Sequence, residues 1–247
     1  MISKSFEKYI NSLKHKKHRE ERQRFIAEGE KVVSEFLKEG WGIEKILATK
    51  EWSEKNKAPA RKHRDSLLEV SDQEMKRISA LVSPSPVMLV AEIPQWNFDP
   101  QQIGSQLNLA LDTIQDPGNL GTIIRIADWF GIQNVFCSED CADAFNPKAI
   151  MASMGSIARV KVMETDLAQL FERFNHLTVF GTFTEGEHLF EMQPVSTGFI
   201  VIGNEAYGIS GGLENFIQKK IAIKRIGKAE SLNAAVAAGI VCAWMKR

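Results

Sequence analysis

Hydrophobic positions along the chain fall into two blocks with different rhythms. In residues 24–94 helical and strand-like segments alternate. Val32, Val33, Phe36 and Leu37 share one face of a helix over residues 30–37, which Gly40 stops. Residues 43–48, 67–70 and 87–93 read as short strands. Ser71 followed by Glu74 is a capping box, opening a helix through Met75, Ile78 and Leu81. Residues 95–106 are polar and lack a period, which marks a linker.

From residue 107 the pattern becomes a regular strand and helix alternation. Strands are predicted at 107–114, 134–137, 176–182, 199–202 and 220–223, with helices at 120–130, 147–157, 167–174, 212–217 and 231–246. Such alternation implies an α/β fold with a mostly parallel sheet covered on both faces, whose ligands bind beyond the carboxyl ends of strands. The expected organisation is an N-terminal arm (1–23), a small α/β domain (24–94), a linker (95–106) and a second α/β domain (107–247).

Composition adds limits more than clues. Of 247 residues, 44% are apolar and 25% charged, which excludes a disordered or collagen-like chain. Three cysteines, Cys137, Cys141 and Cys242, without a secretory signal point to buried reduced thiols, no metal site and a cytoplasmic location. The longest charge-free stretch near a terminus, residues 231–245, is shorter than the roughly 20 residues of a membrane span, so no membrane partner is expected.

The formal charge is zero, but it is unevenly spread. Residues 1–100 hold 19 Lys/Arg against 16 Asp/Glu, and the remainder hold 12 against 15. Among the first 24 residues Lys4, Lys8, Lys14, Lys16, Lys17, Arg19, Arg22 and Arg24 face only Glu7, Glu20 and Glu21. Two readings are open: an arm that contacts phosphates, through Lys14, Lys16, Lys17, Arg19, Arg22 and Arg24, or a solvated helix face.

Three loops after strand ends carry candidate chemistry. In the first, residues 115–125, Asn119 reads as a helix N-cap, and Thr122, Arg125 and Trp129 share a helical face. A guanidinium beside a glycine-rich turn suits phosphate, unless Arg125 pairs with Asp116 or Asp128. The second, Gly203-Asn204-Glu205-Ala206-Tyr207-Gly208, brings backbone amides and a carboxylate to the sheet edge. In the third, residues 224–233, Ser231 reads as the cap of a final helix whose close-packing face is Leu232, Ala235, Val236, Gly239, Ile240 and Ala243. That helix is apolar all round, so it is covered either within one subunit or by a second. No G-x-G-x-x-G, P-loop, G-x-S-x-G or H-E-x-x-H pattern is present, and His176 and His188 are isolated.

Asn119-x-Gly121-x-x-x-Arg125, Gly203-Asn204-Glu205-x-x-Gly208 and Ser231-Leu232-Asn233 with the following Ala/Gly helix together resemble the three motifs of the SpoU (TrmH-like) RNA ribose 2′-O-methyltransferases. Residues 24–94 also look like that family's L30e-like substrate-binding domain. The resemblance implies a SPOUT fold with a C-terminal deep trefoil knot, S-adenosyl-L-methionine as cofactor, RNA as substrate (rRNA favoured over tRNA) and a homodimer. It implies cofactor contacts at Thr182, Ile202, Gly203, Ile223 and Leu232, with Arg125, Asn119, Glu205, Ser231 and Asn233 carrying catalysis. Lys224-Arg225-Ile226 departs from the family's common Pro-Met after the strand, and Ala206 from its frequent Gly. The alternatives are a catalytically silent RNA-binding protein on the same fold and a small-molecule α/β enzyme.

Overall fold

The computed structural model describes residues 2–247, which form two compact units: Met1–Gln95 with Asp143–Ala158, and Trp96–Ala142 with Arg159–Arg247. In chain order the first unit contains α1 (Lys4–Ser12), α2 (Lys16–Arg22), β1 (Arg24–Glu28), α3 (Glu30–Lys38), β2 (Ile43–Ala48), α4 (Lys50–Lys55), α5 (Lys57–Lys62), β3 (Leu67–Glu69), α6 (Asp72–Ile78) and β4 (Val87–Glu92). The second contains α7 (Pro100–Gly104), β5 (Leu107–Leu111), α8 (Pro117–Trp129) and β6 (Asn134–Cys137). The chain then places α9 (Pro147–Ser153) in the first unit. It completes the second with β7 (Lys161–Glu164), α10 (Leu167–Arg173), β8 (Val179–Phe183), β9 (Glu187–His188), β10 (Gly198–Ile202), α11 (Gly211–Glu214), β11 (Lys219–Ala222) and α12 (Ala234–Met245).

In the first unit the sheet order is β1-β4-β2-β3, antiparallel except for β2 with β3. Strands β1 and β4 are buried almost end to end, so both faces of this sheet are covered. One cover is Ile10, Leu13, Met75 and Ile78 from α1, α6 and the turn after α1, packed with Ile26, Met88 and Val90. The opposite cover is aromatic: Phe25 of β1 meets Phe36, Trp41 and Phe145 with ring centroids 4.9–5.8 Å apart. The Ser71 and Glu74 capping box forms as expected, and Gly40 takes a left-handed φ of +72°.

Three expectations for this region are corrected. Residues 1–23 are not a free arm, because Ile10 and Leu13 are fully buried and tie the first two helices into the core. Residues 95–106 are not a plain linker, since Ile103 of α7 is buried and Trp96 and Phe98 pack on the second unit's core. Residues 143–158, expected in the second domain, belong to the first unit, where α9 lies against β1.

The second unit is a seven-stranded parallel sheet in the order β7-β6-β5-β10-β8-β11-β9. Strands β5, β6 and β10 are wholly buried, the pattern of parallel strands covered on both faces. Pattern reading missed β7 and β9, which are only four and two residues long. All three cysteines are free and buried.

The final helix is turned relative to expectation. Ala234, Ala238, Val241 and Met245 are buried, while Val236 is 51% exposed and Ala243 faces outward. The helix packs on α8, where a Cβ at Gly239 would meet Ile126 at an ordinary contact distance of 3.6 Å.

Candidate functional site

The three polar loops follow β5, β10 and β11, so they open at the carboxyl ends of one sheet. Loop one begins with strain. Thr113, a β-branched residue, has φ +59°, a conformation that costs free energy unless its surroundings impose it. They do: its N–H donates to Ser138 Oγ at 2.9 Å and its carbonyl accepts from Asn204 Nδ2 at 2.8 Å. The strained residue is thus bonded to the second loop.

Helix α8 begins earlier than expected. Asp116, not Asn119, is its N-cap, accepting the Asn119 N–H at 2.9 Å, with Pro117 in the first turn where its missing N–H costs nothing. Asn119 is thereby released from capping, and its side chain does something else. Its Nδ2 donates to Glu205 Oε1, and its Oδ1 accepts from Asn233 Nδ2 at 2.9 Å. One amide therefore joins all three loops.

The second loop is shaped by Gly203. A Cβ at this position would lie 2.4 Å from the backbone carbon of Gly208, so only glycine allows the chain to fold back there. The turn is closed by reciprocal Asn204 and Gly208 backbone hydrogen bonds of 2.9 Å. Asn204 Oδ1 also accepts from the N–H groups of Ala206 and Tyr207. Buried Asp112, just beyond β5, accepts the Ser210 N–H at 2.6 Å and fixes the far end. Asp112 is a positioning residue that pattern reading passed over, since a carboxylate after a buried strand gives no signal of its partner, whereas Asn204 stood in the motif without a role of its own.

In the third loop the cap is also displaced. Asn233, not Ser231, caps α12, its Oδ1 accepting from Ala235 and Val236 at 3.0 and 3.3 Å. The Ala234 N–H points at Glu205 Oε1, 3.4 Å away, so the carboxylate sits at the positive end of that helix. Ser231 is exposed and has no hydrogen-bond partner among the described residues.

Arg125 lies about 9 Å along α8 from Asn119 at 1.5 Å per residue. It is exposed and has neither a hydrogen bond nor an ion pair among the described residues. The two carboxylates that offered it a structural role are engaged: Asp116 caps α8, and Asp128 pairs with Arg159 at 2.7 Å. Neither carboxylate therefore pairs with Arg125.

Thr182, Ile202, Gly203 and Ile223 stand at or just past the ends of adjacent β8, β10 and β11. The Ile202 side chain is buried and Thr182 Oγ1 donates to the Val201 carbonyl at 2.9 Å, so these strand ends offer mainly backbone groups. Leu232 is 46% exposed nearby in sequence to Asn233.

The basic residues of the first unit are more committed than their sequence suggested. Arg19 is corrected from an RNA-facing cation to a buried one: it is 1% exposed, donates to the Leu13 carbonyl at 2.8 Å and pairs with Asp143 at 2.5 Å. Arg24 pairs with Glu44 and Glu92, and Lys14 donates to the Ser79 carbonyl, with burial pushing its ammonium pKa down. Arg22 lies over the Tyr9 ring, and Lys16 and Lys17 make exposed pairs with Glu20 and Glu21, which are worth little.

Residues 106–243 match the SpoU rRNA methylase family, and residues 6–89 match the MRM3-like substrate-binding domain. The 23S rRNA (guanosine(2553)-2′-O)-methyltransferase RlmP of Bacillus subtilis is 29% identical over 92% of this chain and 90% of its own length. Among solved structures, a TrmH-family protein from Porphyromonas gingivalis superposes with TM-score 0.87 at 33% identity, over 99% of this chain and 98% of that one. An AdoMet-bound rRNA methyltransferase from Sinorhizobium meliloti gives 0.85 at 28% identity, over 100% and 96%. The substrate-domain match starts at residue 6, in agreement with helices α1 and α2 being part of the first unit's core.

Proposed function

Since this chain belongs to the SpoU rRNA methylase family, we propose that it transfers a methyl group from S-adenosylmethionine to a ribose 2′-hydroxyl of ribosomal RNA. The single observation that carries the reading is Asn119 joining the three motif loops while Arg125, on the same helix, remains exposed and unpaired. RlmP and the S. meliloti protein support rRNA as the substrate class and AdoMet as the methyl donor.

The residues present fit this cofactor. Ends of three adjacent strands offer backbone groups at Thr182, Ile202, Gly203 and Ile223 beside the exposed apolar Leu232. That mixture suits a flat adenosine and an amino-acid tail, and those five residues would hold it. When bound, S-adenosylmethionine supplies a methyl carbon made electrophilic by its positively charged sulfur.

The remaining work falls to side chains. A ribose hydroxyl is a weak nucleophile and must be held in line with the methyl while its proton leaves. Arg125 stays charged in proteins and is unsuited to act as a base. It clamps the target phosphate, which fixes the nucleotide and leaves a phosphate oxygen to take the hydroxyl proton as the oxygen–methyl bond forms and the sulfur–methyl bond breaks. Asn119, Glu205 and Asn233 lock the three loops around that nucleotide, and Ser231 completes the pocket.

The unit works as a cytoplasmic homodimer with the C-terminal segment knotted through the sheet. The exposed apolar residues Trp129 on α8, Leu232 and Val236 at the start of α12 support pairing of two copies. The return of α12 to pack on α8 and β10 supports the knotted path. Among the described residues no helix is long and apolar enough to cross a membrane.

The test is Arg125→Ala. The variant should fold and bind S-adenosylmethionine by calorimetry yet lose methyl transfer to rRNA by at least 100-fold, the order expected when a positioning and charge-stabilising group is removed. Full transfer in this variant would end the assignment. Comparing 2′-O-methyl maps of rRNA from cells with and without the protein would identify the nucleotide.

A further inference from the structure

We propose that Lys224, Arg225 and Lys228 form a second phosphate-gripping element, which holds the RNA backbone flanking the target ribose. The inference rests on the methyltransferase reading above and adds to it a substrate contact specific to this chain.

The loop between β11 and α12 is the longest run of exposed residues beside the site. All ten residues from Lys224 to Asn233 are exposed, and they include three cations and one carboxylate, Glu230. None of these four charged side chains has a hydrogen bond or ion pair among the described residues. Neighbouring lysines behave differently. Lys219 reaches Glu187 at 3.8 Å, and Lys220 pairs with Glu214 at 2.8 Å while lying over the Phe183 ring.

Both ends of the loop are fastened to the site. At its start Ala222 pairs with Phe183 in the sheet, and at its end Asn233 donates to Asn119. Lys228 is five residues from Asn233, so even fully extended it lies within about 18 Å of that anchor. The cations therefore stay close to the motif loops that Asn119 and Asn233 join. Ile226, 93% exposed between them, presents an apolar surface to whatever they grip. Three cations flanking one apolar side chain match a polyanion with exposed bases, whereas the single carboxylate of S-adenosylmethionine needs one cation at most. Each phosphate neutralised releases counterions, which gives the proposal a quantitative signature.

The experiment measures binding of an in vitro 23S rRNA transcript to the full-length protein across salt concentrations. In the K224A/R225A/K228A variant the slope of log affinity against log salt should fall by about 2 to 3, at 0.7–0.9 per lost phosphate contact. KM for RNA should rise while kcat and the affinity for S-adenosylmethionine stay within twofold of wild type. A K224R/K228R variant keeps the charges and should keep the wild-type slope. An unchanged slope in the triple alanine variant overturns the proposal, as does a loss of cofactor affinity with the slope intact. If wild-type protein binds RNA without methylating it, and the variant still loses slope, the enzymatic reading fails and the loop assignment stands.

Discussion

Replacing Asn119 by Asp tests the bridge between the loops with a change of one atom type and almost no change of shape. Asn119 now donates one hydrogen bond to Glu205 and accepts one from Asn233. In the variant the Asn233 bond survives, because Asp still accepts, but the donor facing Glu205 becomes a second carboxylate oxygen. Two unit charges about 3 Å apart repel by about 1.4 kcal/mol at the dielectric constant of water and by about 5.5 kcal/mol at an effective constant of 20. Glu205 is half-buried, which places the cost between these limits, at about 2–3 kcal/mol.

That repulsion is relieved if the pair binds one proton, so the variant's pair should take up a proton as pH falls. The shared proton also restores an O–H donor where the amide stood. Methyl transfer by Asn119→Asp should consequently be depressed about 10- to 100-fold at pH 8 and recover progressively towards pH 6. The wild-type enzyme should lose rate or stay level over the same interval. The assay is transfer of labelled methyl to rRNA at saturating cofactor, with a melting curve at each pH to confirm folding. A variant as active as wild type with an identical pH profile would refute the claim that the Asn119 and Glu205 contact holds the loops.

Three further outcomes follow from other contacts. Gly203→Ala should abolish cofactor binding by calorimetry and destabilise the second unit by at least 1–3 kcal/mol, because the new Cβ would overlap Gly208 backbone that has nowhere to go; normal binding would mean the turn is looser than described. Asp143→Ala should cost about 3–5 kcal/mol in urea unfolding, since it strands the Arg19 charge 1% exposed, and a loss under 1 kcal/mol would show that water reaches it. Glu74, held down to about pKa 2 by the N–H groups of Ser71 and Ile2 and the Ser71 hydroxyl, contributes stability that is present above its ordinary value near 4.5 and lost as pH falls through 2. The difference in urea midpoint between wild type and Glu74→Gln should be full at pH 6 and vanish near pH 2; a difference independent of pH would remove the carboxylate from this role.

Periodicity located the elements that bury one continuous face. The β2 strand and the β6 strand came out with their observed bounds, and the capping box placed the start of α6 because its signal is wholly local. Some elements stayed hidden. Strand β9 has only two residues, β7 buries only Val162 and Met163 between Lys161 and Glu164, and in α1 and α2 the charged residues outnumber the few that are buried, Ile10 and Arg19. The same distance explains the misplaced caps. Asp116 and Asn119 are both good capping residues, and so are Ser231 and Asn233, and only the long-range bond between Asn119 and Asn233 decides which residue is free for each job. Arg19 was read as an RNA contact for a related reason: the carboxylate that buries it is 124 positions away.

The detour of residues 143–158 into the first unit sets an order on events during synthesis. The aromatic cover of β1 is completed by Phe145, and the Arg19 guanidinium needs Asp143, so the N-terminal sheet emerges from the ribosome with that face only partly covered, by Phe36 and Trp41, and one charge uncompensated. Trp96–Ala142 must pass before relief arrives, a wait of roughly 2 to 9 seconds at 5–20 residues per second. During that interval the nascent sheet is an exposed apolar surface of the kind chaperones bind. A fragment cut at Gln95 would be left permanently in that condition.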